Sequence, residues 1–233
     1  MSESYLVTGC ELPPGSSIND VVKTICVSAG IKHRQLDEIH LYTDAASALF
    51  QRKHDSEAGP IFTWPLLPLL SASGLQALCR ALETGELSLC LLAEISPAGS
   101  NAVLLANPNA VGRFNLSPLV HLAKHLSHVD GLENLPTTAL KTLASAPAEI
   151  EPDEQAIDLR IPKAPPPRPW LMLHTSQKID LSEWPDDRLI QNPGLCGSLL
   201  SLASAMKKTR TDRGIWMSLS MDGPVLSTLV LPL

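Results

Sequence analysis

The feature that most constrains the fold is a pattern that occurs twice, about 120 residues apart. In the first copy Gly74 opens the helical run "LQALCRALET", Gly85 stops it, and "LSLCLLAEI" is a buried strand. A Pro-Ala-Gly turn at 97–99 then leads into the strand "SNAVLLAN". In the second copy Gly197 opens "SLLSLASAMKK", "RGIWMSLS" is a strand, a Gly-Pro turn sits at 223–224, and "VLSTLVLPL" is the last strand. Leu75, Leu78, Cys79 and Leu82 share one face of the first helix. The strand after it is apolar almost throughout, as expected where both faces are covered. Both helix openings carry a glycine where a backbone must approach something closely. Two copies of one α/β unit point to a pseudo-symmetric layered fold with its central helices between sheets.

The rest of the chain fits around this repeat. Tyr5 to Thr8 is a short strand, and "DVVKTICVSA" from Asp20 is a helix with Gly30 as its C-cap. Glu38 to Tyr42 is a second strand, whereas residues 51–61 are polar and loop-like. "SPLVHLAKHL" suits a strand or a short helix equally, and residues 136–144 suit a helix. Residues 145–169 turn acidic and then proline-rich, the mark of a linker. "WLML" follows as a strand ending at His174. The expected organisation is a first half over 1–128, a helix and proline-rich linker over 129–169, and a second half over 170–233.

Composition narrows the function classes. The 233 residues are 44% hydrophobic, enough for a well-buried core, and carry a net charge of −6 with no basic stripe. Nucleic acid is therefore not expected, because phosphate binding needs clustered Lys and Arg. Charged residues are only 18%, which leaves room for a partner to cover part of the surface. Cys10, Cys26, Cys79, Cys90 and Cys196 are scattered, without CxxC or Cys/His metal spacing, so no metal or cofactor is expected. The N-terminus lacks the basic flank and apolar core of a signal peptide, and no apolar run is long enough to span a membrane. A reducing cytoplasm is the expected compartment.

Three stretches resemble the thiolase superfamily, the thiolases and β-ketoacyl synthases. "SASGLQALCRALETGELSLCLLAE" is similar to the family's nucleophile turn and central helix, where Cys-x-Ser-Gly or Cys-Ser-Ser-Ser precedes the helix. "NAVLLANPNAVGRFNLSPLVHLAK" is similar to the strand and crossover that close the family's first half. "LHTSQ" followed by "IQNPGLCGSLLSLASAMKK" resembles the second half, where a His-Gly-Thr turn precedes Gly-His-x-x-Gly-x-x-Gly. No motif is intact. The resemblance implies an α/β fold layered α-β-α-β-α from two pseudo-repeated halves, with the loop region reduced because full members are considerably longer.

In that family a cysteine thiolate at a helix N-terminus takes the acyl group, its pKa lowered by the helix dipole and free N–H groups. Two basic groups then assist decarboxylation or deprotonation and stabilise the enolate. Here the cysteine position falls on Ser71 and the first histidine on His174. The second histidine falls on Gln191 when Gly194 and Gly197 take the motif glycines, and the late thiolase cysteine falls near Ser220. A serine hydroxyl needs an adjacent base, and glutamine cannot shuttle a proton. Read without the family, Ser71 is a helix N-cap, His174 a hydrogen-bonded structural histidine, and Cys79, Cys90 and Cys196 core thiols. The four tryptophans are packing or interface residues.

Shape-determining glycines at 74, 194 and 197 remain while the chemical groups are replaced. The expected role is a non-catalytic, chain-length-factor-like subunit that shapes the acyl site of a catalytic ketosynthase or thiolase subunit. The pair would form a heterodimer or heterotetramer in fatty-acid, polyketide or polyene biosynthesis, and acyl-carrier protein is a further candidate partner. The alternative is a Ser71-dependent acyltransferase or hydrolase, assisted by His174, acting on acyl-CoA or acyl-carrier protein.

Overall fold

A computed structural model describes residues 3–43, 51–53, 59–97, 99–128, 169–175, 188–192, 194–209, 213–219 and 225–233. Its first helix shows how locally the chain specifies its elements. α1 (Ile18–Ala29) starts at a reciprocal capping box between Ser17 and Asp20, and ends at Gly30 in the left-handed conformation. Val21, Val22, Ile25 and Cys26 form its buried stripe. It follows β1 (Ser4–Leu12) and precedes β2 (Glu38–Thr43).

Next come β3 (Gln51–Lys53), β4 (Ile61–Pro65), α2 (Pro68–Thr84), β5 (Leu89–Ser96) and β6 (Gly99–Ala106). α3 (Pro108–Phe114) leads to β7 (Val120–His128) and then β8 (Trp170–His174) and β9 (Leu189–Asn192). The last helix, α4 (Leu195–Thr209), precedes β10 (Gly214–Ser218) and β11 (Val225–Leu231).

The repeat seen in the sequence is realised strand by strand. The eleven-stranded sheet runs β3-β4-β2-β5-β6-β1-β7-β11-β10-β8-β9. In the first half β2 is parallel to β4 and β5, β5 is antiparallel to β6, and β6 to β1. In the second half β8 is parallel to β9 and β10, β10 is antiparallel to β11, and β11 to β7, which lies within residues 1–128 but takes the place in this set that β1 takes in the first. α2 enters β5 as α4 enters β10. The halves join where Ser4–Leu6 of β1 pairs with 120–122 of β7.

The core divides into layers. One cluster holds α2 and α4 together with the inward residues of both halves, including Leu92, Val103, Leu122, Met172 and Trp216. A second packs α1 and α3 on the other face of the first half, against Leu89, Leu91, Leu104 and Ala106. A third, with Leu171, Leu173, Ile215 and Met217, lies on the other face of the second half. β5 alternates between two of these clusters, which is why its run has no polar face. Each fully buried leucine contributes about 1.5–3 kcal/mol through removal from water.

Several boundaries differ from the sequence reading. α2 begins at Pro68, not Gly74, because proline at the first helical position lacks only an N–H that would go unpaired there. α4 begins at Leu195, so Gly197 is also inside its helix. The polar stretch 51–61 contains β3, which pairs with β4. "SPLVHLAKHL" resolves as the strand β7. The helix expected at 136–144 and the linker lie largely outside the described residues. No helix among the described residues is long and apolar enough to cross a membrane.

Candidate functional site

Ser71 occupies the first turns of α2 as a helix residue, not as its cap. The N-cap is Leu67, which makes no side-chain capping bond. Ser71 is fully buried, its backbone N–H donates to the Leu67 carbonyl at 2.9 Å, and its Oγ donates to the same oxygen at 3.1 Å. Serine inside a helix commonly bonds back to the carbonyl four residues earlier. The hydroxyl proton is thus directed to a carbonyl, which cannot accept it as a general base.

Gly74, one turn on, serves a contact. A Cβ there would overlap Tyr42 Oη, so glycine lets the buried phenol of β2 close against α2. Gln76 then ties the helix to the second half, its Nε2 donating to the carbonyls of Leu126 at 3.2 Å and Ser227 at 3.3 Å. These residues give α2 a structural purpose independent of any nucleophile.

His174, at the end of β8, is buried. Its Nδ1 lies 3.0 Å from Ser218 Oγ, and its ring stacks on Trp216 at 5.4 Å between centroids. Trp216 Nε1 donates to Ser198 Oγ, which donates to the Leu195 carbonyl, both at 2.7 Å. His174 is therefore held in a chain of packing and hydrogen bonds that leads to the start of α4.

Gln191 is exposed on β9 and pairs in register with Leu173, whereas His174 pairs with Asn192. Because strand side chains alternate, Gln191 lies on the face opposite His174. The residue at the inward position is Asn192, which the glycine spacing did not single out. Its Oδ1 accepts the Gly194 N–H at 2.9 Å, and a Cβ on Gly197 would lie 3.1 Å from its Nδ2. Gly197 thus leaves the Asn192 side chain room to lie close against α4. Ser220 lies outside the described residues.

The start of α4 is occupied by a side chain that sequence reasoning missed. Glu94, buried on β5, accepts the N–H groups of Leu195 and Cys196 on its two carboxylate oxygens. A helix N-terminus attracts an anion through its unpaired N–H groups and dipole. Here the anion is internal, and it crosses from one half to the other. Burial, with the Glu94 charge beside it, pushes the Cys196 thiol well above its ordinary pKa. Burial likewise raises Cys90. Both remain protonated thiols and poor nucleophiles. No group of three or more His, Cys, Asp or Glu among the described residues could hold a metal ion.

No protein-family model matches the sequence, and no curated protein matches it. Solved structures do match. Human mitochondrial 3-ketoacyl-CoA thiolase in complex with CoA aligns at TM-score 0.65 and 8% identity, covering 100% of this chain and 98% of that one. A second structure of the human enzyme aligns at 0.63 and 9%, covering 99% of each chain. A variant of Xanthomonas campestris OleA aligns at 0.61 and 9%, covering 98% of each. The chain has the thiolase fold across its length.

Proposed function

We propose that this chain is a thiolase-fold subunit without condensing activity of its own. It pairs with a catalytic ketosynthase or thiolase subunit, as a heterodimer or heterotetramer, and shapes that partner's acyl site in the manner of a chain-length factor. The pathway class is fatty-acid, polyketide or polyene biosynthesis. The observation that carries this reading is Ser71: a buried helix residue whose hydroxyl donates to the Leu67 carbonyl. Condensation needs an ionised nucleophile and a stabilised oxyanion. Two further features support the reading. The α4 N-terminus is filled by Glu94, and the neighbouring thiol of Cys196 is held protonated.

The test is co-expression with a condensing enzyme whose cysteine and both histidines are intact. Light scattering after size exclusion should show a hetero-complex, and acyl products should differ in length with and without this chain. A soluble monomer that never associates overturns the pairing. Incubation with acyl-CoA and acyl-carrier protein should leave the intact mass of the isolated chain unchanged. An adduct abolished by Ser71→Ala would instead establish a serine acyltransferase or hydrolase.

A further inference from the structure

A groove of about 540 Å³ runs along α2, bounded by Glu38, His40, Trp64, Ala77, Ala81 and Glu86. Its two ends differ. α2 passes into β5 through residues 85–88, and Glu38 pairs in register with Cys90 at the start of β5. The C-terminus of α2, Glu86 and Glu38 therefore meet at one end. Leu70, Ser73, Gly74 and Tyr42 mark the other end, which carries no charged group among the described residues.

Three independent features make the first end attractive to a cation. Two carboxylates, Glu38 and Glu86, line it, and no lysine or arginine lines the groove among the described residues. The last carbonyls of α2 carry the negative end of the helix dipole, and no basic residue occupies the last turn to offset it. The third is the wiring of the histidine. Trp64 Nε1 lies 3.2 Å from His40 Nδ1, and an indole N–H can only donate, so Nδ1 is the acceptor. The ring proton then sits on Nε2 and is donated to Glu38 Oε2 at 2.9 Å. His40 is held as a neutral imidazole and adds no opposing charge.

The same contacts fix Trp64, whose ring lies parallel to His40 with centroids 6.2 Å apart. Indole faces attract cations as well as apolar groups. The small side chains of Ala77 and Ala81 leave the helix wall low enough for a ligand to lie along it. We propose that this groove binds an organic cation with an apolar tail, an alkylammonium or arylammonium compound. Its head lies between Glu38 and Glu86, and its tail runs past Trp64 toward Leu70. The inference rests on the groove alone and stands or falls separately from pairing with a condensing enzyme.

The experiment titrates the intact chain with octyltrimethylammonium, octanol and octanoate by calorimetry, following tryptophan fluorescence in parallel. The ammonium compound should bind more tightly than octanol, and octanoate should be weakest. Glu38→Gln with Glu86→Gln should weaken the ammonium compound about tenfold and leave octanol unchanged. Ala77→Trp, on an exposed part of the helix, should fill the groove and abolish binding of both while the chain stays folded. Glu86→Gln alone, at an exposed position, gives a partial loss and needs no change in the partly buried Glu38. Equal binding of octanoate and octyltrimethylammonium, an unaffected Ala77→Trp variant, or no binding of the ammonium compound overturns the proposal.

Discussion

The Glu94 carboxylate on β5 accepts the Leu195 N–H at 2.7 Å and the Cys196 N–H at 2.8 Å, where α4 begins. One side chain from the first half thereby satisfies two donors of the second half's central helix. Because all three groups are buried, water cannot replace it. Glu94→Ala should cost about 2–4 kcal/mol, since each buried N–H left unpaired carries its own desolvation penalty. Glu94→Gln keeps one carbonyl acceptor and should cost less. Urea unfolding of the three proteins measures the order. Equal stability of wild type and Glu94→Ala would remove Glu94 from this role.

Gly74 is explained by Tyr42, and the pair yields a double-mutant test. In an open helix Gly→Ala stabilises by about 1 kcal/mol. At position 74 the added methyl would overlap the Tyr42 hydroxyl, and Tyr42 is too buried to swing aside. Gly74→Ala should therefore destabilise, and Tyr42→Phe in the same chain should recover a large part of the loss. Additive single effects would show that the two residues do not interact.

Ser71→Ala should change stability by less than about 1 kcal/mol, because the lost back-bond to Leu67 is offset by alanine's better helix propensity. Ser71→Cys should remain unreactive toward acyl-CoA. The position lies inside the helix and is buried, so burial would raise the pKa of a thiol placed there. Thermal unfolding and intact-mass measurement check the two statements. Rapid acylation of Ser71→Cys would revive a nucleophile at this site.

His40 gives a pH response of definite sign. Burial pushes its pKa down, against the opposing pull of Glu38. A depressed pKa means the folded state favours the neutral ring, so its contribution is present above the ordinary pKa of about 6.5. That contribution is lost as pH falls through the folded value. Protonation also consumes the Nδ1 lone pair that accepts from Trp64. The fluorescence difference between wild type and Trp64→Phe should therefore change in acid, and His40→Gln should flatten that change.

The duplicated unit was legible because its signals are local and strong: Gly85 as a stop, an unbroken apolar strand, and a glycine-bearing turn. Its exact helix starts were not. Glycine at 74 admits Tyr42 from a strand about thirty residues earlier, and a Cβ at 197 would crowd the Asn192 side chain; both are contacts that helical spacing does not reveal. The candidate site was legible only in part. Ser71 and His174 stood out because both sit beside recognisable elements. Glu94 did not, since nothing about an acid near the end of an apolar strand reveals that a helix one hundred residues later will begin on it. Gln191 was singled out over Asn192 because glycine spacing fixes position along the chain but not which face of a strand a residue takes. β3 escaped notice because three polar residues at a sheet edge carry no hydrophobic period.

His125 on β7 predicts the opposite pH response to His40. Its Nδ1 lies 3.0 Å from Thr228 Oγ1, and its Nε2 lies 3.5 Å from Glu83 Oε1. Burial works against protonation, but the Cys79 sulfur and the Glu83 carboxylate hold its pKa up, at about 9. A raised pKa means the folded state favours the charged ring, so this contribution is complete below about pH 6.5 and is lost as pH rises through about 9. Glu83 and Cys79 both project from α2, so the pair joins that helix to β7. Glu83→Gln removes one source of the shift and should destabilise by about 1–2 kcal/mol at pH 6 and by little at pH 9.5. Urea unfolding at both pH values measures the difference. An equal cost at the two would mean that the Glu83 contact acts through packing, with His125 neutral throughout.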